Sequence, residues 1–475
     1  MKRPDSMFLM IPLFLVMVGL AACSDDKPAA APAINVGPPT AKAVCGLGSR
    51  PETGMQGRVS AEDHDSGRAD EGYTCNTEMV GSYVVENAIG TVGGFKVERY
   101  TDAAGHDCAY YDTTLMWPTN IFDAEAGVNV LDMSDPTKPV RTKELLTPAM
   151  LSPHESVVVN TTRGVLAAVT GNATFYPGMV DIYDISQDCR NPVLKSSAPT
   201  GIFGHESGIS PDGNTFYTAS PSTKTLVALD ITNLATPLPL WQGNYDSHGL
   251  SLSADGNRAY VAGTGSGLII LDVSEIQSRK ASPQVREISR LKWDSMSIPQ
   301  NAIPVTIKGK PYVVEIDEFS KDDSSPSAAA HGDRVGAGRI IDISDETNPK
   351  VVSDLRLEVH QPENRAAIAD DPGAQVPVQG YAGHYCNVPT RVDPTIVACS
   401  MIVSGLRIFD IRDPFNPKEV AYFVAPLSVR NTPYFAASNW AMSSPSFVPE
   451  RKEIWYSDGY TGFYVVRVTN GAWPD

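Results

Sequence analysis

The stretch GLIILDVS, residues 267–274, holds the pattern that decides the fold. Its apolar, β-branched run predicts a buried strand. The Asp that follows predicts a tight turn, because short polar side chains hydrogen-bond their own backbone. Similar phrases begin at six other places in the chain. They start at Gly127, Met179, Thr225, Gly338 and Gly405, with a weaker copy, GFYVVRVTN, at Gly462.

The surroundings of each phrase define a repeating unit. A second apolar run lies upstream, such as TFYTAS from Thr215 or RAYVAG from Arg258, and a Pro-led run follows in most units. With one more strand upstream, a unit of roughly forty to fifty residues holds four antiparallel strands, which is the blade of a propeller. Seven such units fit between about residue 90 and the end. The sequence therefore predicts an all-β fold, a seven-bladed β-propeller of four-stranded blades.

The seventh unit is one strand short, because the chain ends soon after GFYVVRVTN. Residues 78–84, EMVGSYV, match the pattern of KEVAYFV from Lys418, a fourth strand. We expect this N-terminal strand to complete the last blade and close the ring, which removes an exposed sheet edge. The alternative is an edge strand on the N-terminal tether.

The N-terminus predicts an exported, anchored protein. A short apolar run ends in LAAC at Cys23, which resembles the lipobox of bacterial lipoproteins. The resemblance implies that residues 1–22 are a signal peptide, that Cys23 is lipidated, and, because Ser24 follows it, that the protein reaches the outer membrane. A plain secretory signal is the alternative. Residues 23–44 are rich in Ala, Pro and Asp and predict a disordered tether, and residues 45–475 form a single propeller domain.

Charge and cysteine content limit the partners and the compartment. A formal net charge of −17 argues against nucleic acid as a partner. Apart from Cys23, an even number of cysteines in an exported chain predicts disulfides. Cys386 and Cys399 flank two β-prone runs separated by an Asp-Pro turn, so we expect them to face each other across a hairpin. The remaining cysteines allow three pairings, which the sequence leaves open. They are Cys45, Cys75, Cys108 and Cys189.

Half of the eight histidines stand at the head of look-alike segments, each upstream of a predicted inner strand. These are His154, His205, His248 and His384. Equivalent positions on different blades converge on the propeller axis, and neutral imidazole nitrogens there suit iron, copper or zinc. The sequence thus predicts a metal site in the channel. The alternatives are a metal-free ligand pocket and a structural habit left by duplication of one ancestral unit.

Four further residues belong to the same candidate site. Glu155 and Glu206 directly follow two of the histidines and could orient the rings, while Gln300 and Asn301 occupy the corresponding place in the fifth blade. The histidines outside the repeat are expected at the surface. These are His64, His106, His331 and His360. The Asp of each repeated phrase is expected to be structural.

The repeated phrase, with its polar turn and Pro-led strand, resembles the LVIVD repeat of bacterial and archaeal exported or surface proteins that are taken to be β-propellers. The resemblance implies a fold and an exported location but no reaction. By architecture alone, the channel histidines are similar to those of propeller enzymes such as carotenoid oxygenases and the selenium-binding proteins related to methanethiol oxidase, which hold iron or copper.

Two hypotheses of function follow. The favoured one is an anchored scaffold propeller that binds an envelope protein or a small-molecule ligand without doing chemistry. The other is an oxidoreductase that uses iron, copper or zinc on the four histidines. Motifs of other enzyme classes, such as a G-x-S-x-G elbow or a phosphate-binding Walker loop, are missing from the sequence.

Overall fold

A computed structural model describes residues 34–85, 91–113, 119–122, 125–171, 177–321, 334–375, 380–427 and 439–475. Residues 34–475 form one compact unit. The predicted signal peptide and Cys23 lie outside the described residues, as does His331. Among the helices of the described ranges, none is long and apolar enough to cross a lipid bilayer.

The described residues form seven antiparallel sheets of the predicted kind, numbered here as blades 1 to 7. Blade 1 comprises Val97–Thr101, Asp107–Tyr111, Val128–Asp132 and Val140–Leu145. Blade 2 comprises Val158–Asn160, Val165–Val169, Met179–Asp184 and Val193–Pro199. Blade 3 comprises Ser207–Ile209, Thr215–Ser220, Thr225–Asp230 and Leu238–Asn244. Blade 4 comprises Gly249–Leu252, Arg258–Gly263, Gly267–Asp272 and Arg286–Leu291.

The remaining blades carry additions. Blade 5 comprises Ile298–Ile307, Lys310–Glu318, Gly338–Asp342 and Lys350–Leu355, with a small side ribbon of Ser320–Lys321 and Arg334–Val335. Blade 6 comprises Tyr385–Asn387, Ile396–Ser400, Leu406–Asp410 and Lys418–Val424, with Tyr73–Cys75 as a fifth strand. Blade 7 comprises Ser446–Val448, Glu453–Asp458, Gly462–Val468 and Thr77–Tyr83. Short α-helices span Ala61–Asp65, Ser274–Gln277 and Arg365–Ile368. Single 3-10 turns span Ala69–Glu71, Thr119–Phe122, Glu358–His360, Pro362–Asn364, Pro372–Gln375 and Pro449–Arg451.

The ring closes as predicted. The N-terminal strand Thr77–Tyr83 pairs antiparallel with Gly462–Val468, the last strand of the chain. Blade 7 in turn packs on blade 1, where Ala109 and Leu131 share a buried cluster with Trp455. Apolar clusters likewise fill the space between the two blades of each remaining neighbouring pair. Burial of β-branched and aromatic side chains between blades is thus the main source of stability.

The Asp of each repeated phrase is structural, as expected. In blade 4 the Asp272 Oδ1 accepts hydrogen bonds from the backbone N–H and the hydroxyl of Ser274, at 3.1 and 2.6 Å. In each of the remaining full copies, the Asp Oδ1 likewise accepts a hydrogen bond from the backbone N–H two residues later. These are Asp132, Asp184, Asp230, Asp342 and Asp410. Each therefore fixes the turn from the third strand to the fourth.

Three disulfides are present. Cys386 and Cys399 are direct partners across the first hairpin of blade 6, as predicted. The other pairings, which the sequence left open, are Cys45–Cys75 and Cys108–Cys189. The second of these joins blade 1 to a turn of blade 2, and the first ties the N-terminal segment to the fifth strand of blade 6.

The N-terminal segment packs on blades 5 and 6. The backbone N–H of Thr40 donates to the carbonyl of Arg356 at 2.8 Å, and that of Glu419 donates to Ala41 at 3.1 Å. Contacts with the blades therefore begin before Cys45, inside the stretch assigned to the tether from composition. His360, in the insertion after blade 5, is completely buried, so the expectation that His360 lies at the surface was wrong.

Candidate functional site

The inner strands bring three of the predicted histidines to equivalent places around the channel. In blades 3, 4 and 6 the histidine stands just before the first strand and its backbone N–H donates to the second strand of the same blade. The acceptors are Ala219 for His205 (2.6 Å), Ala262 for His248 (2.7 Å) and Ser400 for His384 (3.0 Å). One register, repeated in three blades, therefore sets the height of three imidazole rings.

Blade 2 departs from this register. Its ladder begins only at Val158, which pairs with Ala167, and His154 and Glu155 precede it in a turn. Both residues have left-handed backbone, with φ of 42° at His154 and 75° at Glu155. Such conformations are uncommon for residues other than glycine and concentrate at functional sites. The backbone contact shared by the other three histidines is therefore absent at His154, although its ring still lies beside that of His205.

The rings form an arc with one member opposite. The centroids of His154 and His205 lie 4.4 Å apart, as do those of His205 and His248. His384 faces this arc and contacts Phe95 and Phe319, which line the site with apolar surface.

Two buried carboxylates link the histidines across the channel. Glu155 lies 3.0 Å from the Nδ1 of His205 and 3.3 Å from the Nε2 of His384. Glu318 lies 3.4 Å from the Nε2 of His248 and 3.2 Å from the Nε2 of His384. Despite these distances, the His205 Nδ1 and the His384 Nε2 form no hydrogen bond within the described residues. The two carboxylates and three of the imidazole rings thus meet in one region of the channel.

Backbone carbonyls fix the orientation of two rings. The Nδ1 of His248 lies 2.9 Å from the carbonyl oxygen of Pro299, and the Nδ1 of His384 lies 2.5 Å from that of Met442. A carbonyl accepts only, so each Nδ1 carries a proton and each Nε2 is directed toward Glu318. Metal-binding histidines are commonly oriented in this way.

Glu155 is itself held in position. The Tyr385 hydroxyl donates to its Oε2 at 2.7 Å, and the amide of Gln300 donates to the same oxygen. Gln300 also contacts the Tyr385 hydroxyl at 2.8 Å. Gln300 is the residue that the strand pairing of blade 5 skips between Pro299 and Asn301, and this bulge turns its side chain into the channel.

Two predicted residues have other partners. Glu206 accepts a hydrogen bond from Lys96 at 3.1 Å, so within the described contacts its partner is a lysine and not a histidine ring. Asn301 donates to the carbonyl of Cys386 at 3.1 Å. Both lie further along the inner strands, and both are buried.

Burial and pairing pull the ionisation of the cluster in opposite directions. Burial, reinforced by neighbouring His205, lowers the pKa of His154 to about 3 and that of His248 to about 4. For His384 burial acts in the same direction, but Glu155 and Glu318 outweigh it and raise its pKa to about 10. Burial would raise the pKa of Glu155, yet His205 and His384 hold it well below its usual range. In the protein alone, His384 therefore carries the positive charge that faces the two carboxylates.

Sequence reasoning missed Glu318, Tyr385 and Lys96. Glu318 ends the second strand of blade 5, which is longer than its counterparts and so carries its last side chain to the axis. The run of acidic residues in PYVVEIDE was the available signal. Tyr385 directly follows His384, as Glu155 and Glu206 follow theirs, so its place in the segment could have indicated it.

The fold and the site define the class: a closed seven-bladed propeller with a buried histidine and carboxylate cluster in its channel. Residues 248–287, which include His248 and most of blade 4, match the family model of the LVIVD repeat. The chain is thus a β-propeller that carries an LVIVD repeat. A comparison with curated proteins finds no match.

Solved propellers resemble the chain at low identity. Hydrazine synthase from Kuenenia stuttgartiensis is 14% identical with a TM-score of 0.49, over 81% of this chain and 97% of that one. The periplasmic gluconolactonase of Pseudomonas aeruginosa is 13% identical with a TM-score of 0.47, over 80% of this chain and 96% of that one. Similarities at this level give no information about the reaction of this chain.

Proposed function

We propose that this chain is a metal-binding propeller of the cell envelope whose channel holds one iron, copper or zinc ion. His205, His248 and His384 supply nitrogen ligands, and Glu155 and Glu318 supply carboxylate oxygens. His154, whose ring is edge-on to His205, borders the site and can enter the ligand set, since its ligand atom lies within 4.8 Å of those of Glu155 and His205.

One observation carries the proposal: the Nε2 atoms of His248 and His384 face the same carboxylate, Glu318, while each Nδ1 is fixed by a backbone carbonyl. This arrangement directs the two Nε2 atoms at the two oxygens of one carboxylate, and in the same cluster His154, Glu155 and His205 offer ligand atoms within 4.8 Å of one another. Mixed imidazole and carboxylate sets suit iron, copper and zinc better than magnesium or calcium.

Electrostatics support the same conclusion. Glu155 and Glu318 are 2% and 5% exposed, and burial of two carboxylates is costly unless a positive charge compensates them. A divalent cation would compensate both at once and leave the histidines neutral. Without a metal, protonated His384 and His205, whose pKa values are both raised by the carboxylates, would have to supply this charge.

The reaction that this site supports best is oxidation or reduction of a small substrate, because bound iron or copper supplies redox chemistry. The protein's part is to orient the ligands through Tyr385, Gln300 and the two backbone carbonyls. Phe95 and Phe319 exclude water from the His384 side.

Metal analysis tests the proposal. The protein is expressed with its own export signal, purified without a histidine tag, and measured by elemental mass spectrometry. We expect about one equivalent of metal per chain, and its loss in the variant His205→Ala/His248→Ala/His384→Ala. The control is His106→Ala, which removes one member of a separate group of possible ligands, Asp102, His106 and Asp188. Metal lost in the control and kept in the channel variant would contradict the proposal.

The scaffold hypothesis, a propeller that binds an envelope protein or small molecule without metal, would be favoured by a metal-free protein in this experiment. The envelope location rests on Cys23 and is tested separately. With Cys23→Ser, we expect incorporation of a labelled fatty acid to stop and the protein to leave the membrane fraction. Unchanged labelling would remove lipid anchoring from the proposal.

A further inference from the structure

Asp112 joins blade 1 to the candidate metal site. It directly follows the second strand of that blade, Asp107–Tyr111, and it is completely buried. Its side chain contacts the head of the inner strand of blade 1 and also the turn of blade 2 that carries Glu155. Asp112 therefore lies at the boundary between two blades, beside the cluster.

The two oxygens of Asp112 accept three backbone hydrogen bonds. Oδ1 accepts from the N–H groups of Phe95 and Lys96, at 2.6 and 2.8 Å. Oδ2 accepts from the N–H of Glu155 at 3.2 Å. A carboxylate is costly to bury unless its oxygens are hydrogen-bonded in this way. One side chain thus ties together the backbones of two neighbouring blades.

The contact with Glu155 lies where the backbone of blade 2 is strained. His154 and Glu155 have φ of 42° and 75°, in the left-handed region that residues other than glycine seldom adopt. Such a conformation persists only where its surroundings hold it. Tyr385 and Gln300 hold the side chain of Glu155, whereas Asp112 holds its backbone N–H.

The contact with Phe95 reaches the apolar wall of the site. The ring of Phe95 packs against those of His154 and His384, with centroid distances of 5.5 and 5.4 Å. The strand head that carries this ring lies directly against Asp112, because a Cβ atom at Gly94 would be 1.9 Å from the Asp112 carbonyl oxygen and 2.3 Å from its Oδ1. The same carboxylate therefore contacts the backbone of a proposed ligand and that of the wall.

We propose that Asp112 is a positioning residue of the metal site, which holds Glu155 in its ligand arrangement and Phe95 against the histidine rings. Because the oxygens of Asp112 are occupied by N–H groups, it acts through these two residues and is not one of the ligands. The inference rests on the proposed metal function, since it concerns the placement of a ligand of that site.

The variant Asp112→Asn tests the proposal, because only one of the two amide atoms can accept a hydrogen bond. With the amide oxygen at Phe95 and Lys96, the NH2 group faces the N–H of Glu155, which loses its acceptor. We expect the affinity for zinc, measured by competition with a chromogenic chelator, to fall about 10- to 100-fold. Asp112→Ser, whose smaller side chain leaves room for water, should lower the affinity as well, and it serves as the test if Asp112→Asn does not fold.

Asp458 provides the matched control. It ends the second strand of blade 7 and is completely buried. Like Asp112, it accepts three backbone hydrogen bonds, from Trp440 at 2.7 Å, Tyr460 at 2.9 Å and Thr461 at 3.0 Å. None of these donors belongs to the residues assigned to the metal site. Asp458→Asn should therefore lower the melting temperature to an extent comparable with Asp112→Asn, but it should bind zinc as the parent does.

Crystal structures of the parent and of Asp112→Asn, both after treatment with a chelator, separate this proposal from the metal function. In the parent, Glu155 lies 3.0 Å from the Nδ1 of His205 and 3.3 Å from the Nε2 of His384, and we expect both distances to lengthen in the variant. A parent that binds no zinc would contradict the metal function. Unchanged distances would overturn the positioning role whether or not zinc binds, as would equal zinc affinity in Asp112→Asn and the parent.

Discussion

Glu155 is the residue on which the candidate metal site depends most. It contacts both His205 and His384, and its own backbone is in the left-handed region. Strain of this kind persists only where the surroundings hold it. Here Tyr385 and Gln300 do so through hydrogen bonds to one oxygen, which leaves the other oxygen directed at His384.

The role of Tyr385 as a positioning residue predicts the effect of Tyr385→Phe. Loss of the hydroxyl should free Glu155 and weaken metal binding about 10- to 100-fold, measured by competition with a chromogenic chelator. Tyr110→Phe is the control, because the buried Tyr110 hydroxyl also donates at 2.7 Å, but to the carbonyl of Cys189 outside the site. Equal metal affinity in the two variants would show that Tyr385 does not position Glu155.

His360 predicts a pH dependence of stability. Burial, with Arg356 nearby, holds its pKa well below the usual value, and its Nδ1 accepts the backbone N–H of Leu357 at 3.1 Å. The folded state therefore keeps His360 neutral while the unfolded chain protonates near pH 6.5. The stability that this residue contributes is complete above pH 6.5 and declines below it by about 1.4 kcal/mol per pH unit.

The variant His360→Asn isolates this contribution, because the amide oxygen can still accept from Leu357 but does not titrate. In urea unfolding at pH 7.5, 6.5 and 5.5, the free energy of unfolding of the parent should fall more steeply between the last two values than that of the variant. Parallel pH profiles would contradict the assignment.

At the scale of the element, the repeated phrase determines the strands of each blade, and departures from the repeat place the side chains of the candidate site. The bulge at Gln300, the long second strand of blade 5 that ends at Glu318, and the left-handed turn at His154 each depart from the repeat. Every departure places a side chain of the cluster. A repeat can supply a closed ring, but identical blades would supply seven identical side chains at its axis.

The ring-closing strand Thr77–Tyr83 carries the prediction at this scale. Gly81 lies against blade 1, and a Cβ atom there would be 2.2 Å from the carbonyl oxygen of Pro136. Gly81→Val should therefore displace the strand, lower the stability by about 1–3 kcal/mol and increase cleavage by protease. The neighbouring Ser82 is exposed, so Ser82→Val should melt like the parent. A stable Gly81→Val protein would mean that this strand does not close the ring tightly.

The same contrast explains what the sequence could predict. The strands of the blades, the turns that begin with Asp and the closing strand could be predicted from the sequence, because each follows a local pattern that is repeated along the chain. His205, His248 and His384 were readable for the same reason. The direct contact of Glu155 with two histidines was not, because the left-handed turn that carries it departs from the repeat, and Glu318 was not, because its place depends on the length of one strand. His360 was misjudged because the segments that bury it carry no repeat.

At the scale of the whole molecule, seven blades of one design surround an axis on which unlike residues meet. The disulfide Cys108–Cys189 and the strand Thr77–Tyr83 fix blades that the chain alone would leave free to separate. A rigid ring holds Glu155, His205, His248, Glu318 and His384 at distances that do not depend on any single loop. That rigidity is what a preformed metal site requires.

Anomalous diffraction tests the central claim most directly. Crystals of exported, untagged protein are measured on both sides of the iron, copper and zinc absorption edges. We expect one strong anomalous peak in the channel, among the side chains of Glu155, His205, His248, Glu318 and His384. A channel without an anomalous peak, or a peak only at Asp102, His106 and Asp188, would contradict it.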